Sequence, residues 1–134
     1  MKRFLLMSTY LAVLGVSVVA QEDAEYQGWM KSIGATAGSL RKNLEAKNTE
    51  AAAADAKKLQ EIFGHVHSYW SDKHVDDATR FAMDAGKGFG EVAEEAAAGK
   101  FEDAAATLKT TSANCGGCHT AHREKSADGT FKIK

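Results

Sequence analysis

Apolar residues recur every three to four positions through most of this chain, the spacing of one face of a helix. A first run reads Tyr26, Met30, Ile33, Ala37, Leu40, Leu44. A second reads Ala52, Ala56, Leu59, Phe63, Val66, Trp70. A third reads Val75, Ala78, Ala82, Ala85, Phe89, Val92, Ala96, and a fourth reads Phe101, Ala104, Leu108, Thr111, Cys115, Cys118. No segment alternates with period two for long enough to be a core strand. Three punctuation points separate the runs. Asn48-Thr49 before Glu50 is a helix N-cap signal, Ser71-Asp72-Lys73 follows the second run, and Gly99 is placed to end the third helix. The pattern predicts four helices of roughly 20 to 25 residues each, or about 30 to 37 Å at the standard rise. Short connections make neighbours antiparallel, so the expected fold is all-α, an up-down-up-down four-helix bundle.

Composition supports that reading. The chain has 134 residues, the size of one domain, and carries 22 alanines between residues 21 and 134. Alanine is the best helix former because it loses no side-chain entropy. There are no prolines, which disfavours an all-β sandwich or a Pro-rich linker. Gly86, Gly88 and Gly90 stand inside the third run. No strand precedes them and their spacing is not that of a phosphate loop, so they imply close helix approach or a local kink. Residues 126–134 (S-A-D-G-T-F-K-I-K) hold an Asp-Gly turn and are expected as a short, extended, peripheral tail. A net charge of -1 excludes the basic footprint of a nucleic-acid binder.

The first twenty residues read as an address. Lys2 and Arg3 form a basic start, Phe4 to Ala20 is mostly apolar, and Val18 and Ala20 put small residues at the cleavage positions. The chain then turns polar at Gln21-Glu22-Asp23. This predicts a signal peptide over residues 1–20 and a mature domain over 21–134, exported to the periplasm. An uncleaved anchor is the alternative reading, since the apolar run is at the short edge for spanning. Cleavage would remove Lys2 and Arg3 and leave 15 basic and 18 acidic residues, a net of -3. No later segment is long and apolar enough for membrane insertion of the mature chain.

The chemistry concentrates at Cys115-Gly116-Gly117-Cys118-His119, the C-x-x-C-H of covalent c-type haem attachment. Two thiols three residues apart share one face of a helical turn, so both can form thioethers with the two vinyl groups of one porphyrin. His119 can then reach the iron as proximal ligand, giving one haem c and its iron as the expected cofactor. Two other readings exist. Cys115, Cys118, His119 and His122 form a Cys₂His₂ set for zinc, though closure over such tight spacing is strained. A Cys115–Cys118 redox disulfide belongs with a βαβ pattern, which the chain lacks.

On these residues the chain resembles the class II c-type cytochromes, cytochrome c-prime and its low-spin relatives. Their haem motif lies near the C-terminal end of an exported four-helix bundle, and the resemblance extends from Tyr26 to about Lys125. The family pattern continues past the haem histidine with two residues, an aromatic, then arginine. Here the sequence reads His119-Thr120-Ala121-His122-Arg123. Arg123 matches the family's arginine beside the proximal ligand, and His122 replaces the usual Tyr or Phe.

In an up-down-up-down bundle the first and fourth helices run antiparallel. His119, near the end of the fourth, and Met30, near the start of the first, then share one end of the bundle. The resemblance implies that Met30, within Tyr26-Gln27-Gly28-Trp29-Met30-Lys31, is the axial methionine of the low-spin branch. The high-spin branch leaves that iron face open. His/Met ligation raises the reduction potential and suits electron transfer. Residues expected to wall the haem are Trp29, Val66, Trp70, Val75, Phe81 and Ala82. Arg123, Lys31 and Arg80 are candidates to neutralise propionates, with family support for Arg123 alone. His65, His67 and His74 are rival ligands or surface histidines, and Met83 lies off its stripe.

The expected function is that of a periplasmic single-electron carrier and not an enzyme, since no designed acid–base pair accompanies the motif. Its partner would be an unidentified periplasmic redox protein. The alternative is a cytochrome c-prime-like binder of nitric oxide or carbon monoxide with an open distal face. The resemblance also implies a possible homodimer.

Overall fold

The computed structural model describes the backbone of residues 5–134 and the side chains from Val19 onward. Most side chains of the predicted signal peptide therefore lie outside the described residues. Two units divide the chain, residues 1–32 and 33–134. Helix α1 (Leu5–Glu45) runs from the first into the second. Helices α2 (Thr49–Asp72), α3 (Asp76–Ala97) and α4 (Phe101–His122) follow, then a hairpin of β1 (Arg123–Lys125) and β2 (Phe131–Ile133). The fold is thus all-helical apart from the hairpin, with the four helices of a four-helix bundle. Among the described residues no helix is long and apolar enough to cross a membrane.

The second unit is built as the apolar stripes dictate. Every member of the second run is buried, and in the third run all but Val75 are buried. Stacking of Phe63 on Phe89, with ring centroids 5.4 Å apart, joins α2 to α3 at mid-height. Leu40, Leu59, Phe89 and Val92 are the largest side chains wholly withdrawn from water. Their burial contributes about 1.5 to 3 kcal/mol each.

Residue pairs read out an antiparallel register between α3 and α4. Thr107 donates to Glu95 at 3.2 Å near one end, and the ring of Phe81 covers Gly117 further along. Asp77 meets His122 at 2.8 Å at the other end. Between α1 and α2, Asn43 donates to Asp55 at 2.8 Å.

The three helix–helix turns close by one device. Each ends in a residue at positive φ: Lys47 at 53°, His74 at 57° and Gly99 at 72°. In each turn the next residue's N–H reaches back five positions: Asn48 to Asn43 (2.9 Å), Val75 to Trp70 (3.1 Å) and Lys100 to Glu95 (2.9 Å). This is the Schellman closure, which satisfies carbonyls left open at a helix end. Asn48 then caps α2, its side chain accepting from Ala51 N–H at 3.1 Å.

The element bounds depart from the expected ones. α1 spans 41 residues, beyond the roughly 20 to 25 expected, with no proline to break it. α4 stops at His122, where Arg123 adopts an extended backbone (φ -124°, ψ 136°). The tail over 126–134 is extended and mostly exposed, and it forms the return arm of the hairpin, with Arg123 opposite Ile133 and Lys125 opposite Phe131.

The glycines of α3 serve close approach. A Cβ on Gly88 would overlap the buried Thr111, lying 2.7 Å from its Cγ2 and 2.9 Å from its Cβ. Helix α3 passes through all three glycines without a break.

Candidate functional site

The C-x-x-C-H residues occupy the last two turns of α4. That helix buries Ala104, Leu108 and Thr111, and its stripe then emerges to half-burial at Cys115, Cys118 and His119. The two cysteines are unpaired. Three residues apart on a helix, they lie on one face.

Electrostatics hold both sulfurs as thiols. Burial pushes Cys115 up, opposed by the positive charge of Arg41 on α1. Burial also pushes Cys118 up, to about 11, with help from the negative charge of Asp77. Both cysteines are thus held in the protonated thiol form in the metal-free chain. His119 moves the other way, lowered by burial and by the adjacent Arg123. A neutral imidazole is the form that donates a lone pair to a metal.

Among the described residues no three of the His, Cys, Asp and Glu side chains converge on a point that would hold a metal ion. The Cys₂His₂ set weighed for zinc is therefore not assembled. His122 is engaged elsewhere: its Nε2 lies 2.8 Å from the Asp77 carboxylate. Its ring centroid lies 5.1 Å from that of Trp70. The position that holds an aromatic in the resembled family is thus filled by an imidazole packed like one, tied by a polar bond to the start of α3.

Two unpaired thiols share a helical face, His119 follows them, and a glycine admits a neighbouring aromatic. A Cβ on Gly117 would lie 2.8 Å from Phe81 Cε1, so only glycine lets that ring close on the motif. Among the other residues expected to wall the site, Val66, Trp70 and Ala82 are buried and Val75 is half-buried. Of these, Trp70 meets the motif end of α4 through His122.

Other candidates fall differently. Arg123 is in β1, not in the helix, and its guanidinium lies 4.0 Å from the Phe131 ring centroid. Trp29 and Met30 belong to the first unit, both half-buried, and Trp29 meets Tyr26 edge-on at 6.3 Å there. His74 is an exposed turn residue whose backbone closes α2. His65 is exposed and His67 half-buried on α2, and Lys31, Arg80 and Met83 are exposed.

Asp77 was not among the sequence candidates. An acid in the first turn of a helix reads as an answer to the helix dipole. Only the antiparallel register of α3 and α4 brings it to His122.

Comparison with models of known families, with curated proteins and with solved structures finds no match to this chain.

Proposed function

We propose that this chain is an exported electron carrier holding one haem c through Cys115 and Cys118. His119 and Met30 are the residues that would hold its iron. The observation that carries the reading is the triplet at the end of α4: two unpaired thiols on one helical face beside a half-buried histidine. Haem c bound there supplies a one-electron couple between ferric and ferrous iron. The residues of the chain fix its place. Cys115 and Cys118 tether it, so a small domain need not engulf it. Phe81 closes on Gly117, and the Trp70–His122–Asp77 contacts pin the last turn of α4 to α2 and α3. Met30 follows from its place on the first apolar stripe and from the resemblance. Export to the periplasm follows from residues 1–20.

The test is the purified protein from cells that mature c-type cytochromes. A macrocycle in the intact mass, retained on denaturation and lost in Cys115→Ser/Cys118→Ser, is expected. So is a ferric absorption band of sulfur-to-iron ligation that disappears in Met30→Ala. A protein of unmodified mass overturns the proposal. A five-coordinate spectrum with fast carbon monoxide uptake overturns the Met30 assignment and makes the chain a gas binder.

A further inference from the structure

Helix α4 ends three residues past His119, and the chain then folds into the β1–β2 hairpin. The hairpin is anchored to the motif turn. Lys134 donates through its backbone N–H to the carbonyl of His122 at 3.1 Å. Its ammonium donates to the carbonyl of Thr120, the residue after His119, also at 3.1 Å. The turn itself is closed by Ser126 donating to Thr130 at 2.8 Å. Asp128 accepts from the Thr130 N–H and hydroxyl at 3.0 and 2.7 Å.

Strand alternation sorts the charges by face. Glu124 and Lys132 are opposite one another in the ladder and pair at 3.2 Å on one side. The other side carries Arg123 and Lys125 with Phe131 and Ile133, and no carboxylate. Phe131 keeps 48% of its surface exposed beneath the Arg123 guanidinium. The hairpin is also opposite in sign to the rest of the chain. Residues 123–134 hold four cations and two carboxylates, whereas residues 21–122 hold 11 and 16.

We propose that the Arg123–Lys125–Phe131 face is the docking surface for an acidic redox protein. The inference rests on the electron-carrier reading and names the chemistry of its partner. Arginine and an aromatic at the centre of a small patch are the composition of a protein interface. Redox encounters use small interfaces that dissociate readily. Recognition of an anionic membrane surface takes clusters of four to eight basic residues, more than this face offers. A partner seated here stands beside the turn that follows His119. Haem held at Cys115 and Cys118 would accept one electron from the partner's donor, and no bond in this chain would form or break.

The probe is a flavodoxin, an acidic one-electron protein. The isotope-labelled holoprotein is titrated with oxidised flavodoxin at low salt, and the amide signals of residues 123–134 are expected to shift. Lys125→Glu and Phe131→Ser are expected to abolish the shifts with the haem spectrum unchanged, and Lys125→Gln to weaken them. Reduction of the ferric protein by flavodoxin hydroquinone is expected to slow about tenfold in Lys125→Glu at low ionic strength, and little at high. Shifts elsewhere, or rates indifferent to these substitutions, overturn the proposal. Hairpin shifts that track protein concentration without flavodoxin assign the face to a second copy and overturn it. Tighter binding to phosphatidylglycerol vesicles than to flavodoxin also overturns it. An intact mass without a macrocycle is a separate result. It removes the electron-carrier reading, while the flavodoxin titration still reports on the hairpin.

Discussion

At Gly88 and Gly90 the same substitution is expected to have opposite effects. Both lie inside α3, where alanine gains about 1 kcal/mol over glycine. A Cβ at Gly88 meets the β-branched Thr111, which is buried and fixed by its bond to the Thr107 carbonyl at 2.8 Å. It cannot yield, and overpacking of this kind costs about 1 to 3 kcal/mol. A Cβ at Gly90 meets the amide end of Gln60, an exposed and flexible side chain, at 2.6 Å. Thermal melts are therefore expected to show Gly88→Ala destabilised by about 1 kcal/mol net, restored in part by Thr111→Ala. Gly90→Ala is expected to be neutral or stabilised. Asp77 gives a pH-dependent case. The His122 bond holds its carboxyl below the usual range. Its folded value is then below its unfolded one, so the bond adds stability above the unfolded value near about pH 3.9, and that stability is lost as pH falls through the folded value. Asp77→Asn is expected to lower the urea midpoint at neutral pH and to match the parent in strong acid.

The helices were legible because their faces are. Each apolar stripe steps by three or four residues, and the second and third became buried faces almost throughout. The turns were legible only in part, because a Schellman closure needs a positive φ and glycine is the sole strong signal for it. Gly99 announced its turn, whereas Lys47 and His74 adopt the same conformation without advertising it. A side chain there costs about 1 kcal/mol or more relative to glycine. Lys47→Gly is therefore expected to stabilise the protein by about 0.5 to 1 kcal/mol, and Gly99→Ala to destabilise it by about 1 kcal/mol. Chemical denaturation of the two variants checks both signs, and it also separates a turn role for Lys47 from a charge role. The hairpin was illegible for a related reason. Its strands are three residues long with mostly exposed side chains, so no alternation of burial marks them. What builds them is the Asp128 turn and the bonds from Lys134 back to α4.

Across the whole molecule, the candidate site was legible where chemistry is written in adjacent residues and obscure where it needs register. Cys115, Cys118 and His119 identify themselves. Asp77 and His122, 45 positions apart, meet only once α3 and α4 are aligned. The same whole-chain composition also sets how the protein refolds. Contacts in a helical bundle are local and form in milliseconds or less. The chain contains no proline, so the isomerisation phase of about 10 to 100 s has no source. It does contain five histidines. Should Cys115 and Cys118 carry haem as proposed, His65, His67, His74 and His122 could each bind its iron while the chain is unfolded. Each such attachment would have to break before the helices pack. Histidines in an unfolded chain titrate near about pH 6.5, and a protonated imidazole has no lone pair to give. The holoprotein is expected to refold from guanidinium with a slow phase at about pH 7.5, and to lose it at about pH 5 or in excess free imidazole. Stopped-flow absorbance in the haem band reads both. A slow phase equal at the two pH values would trace it to something other than these histidines.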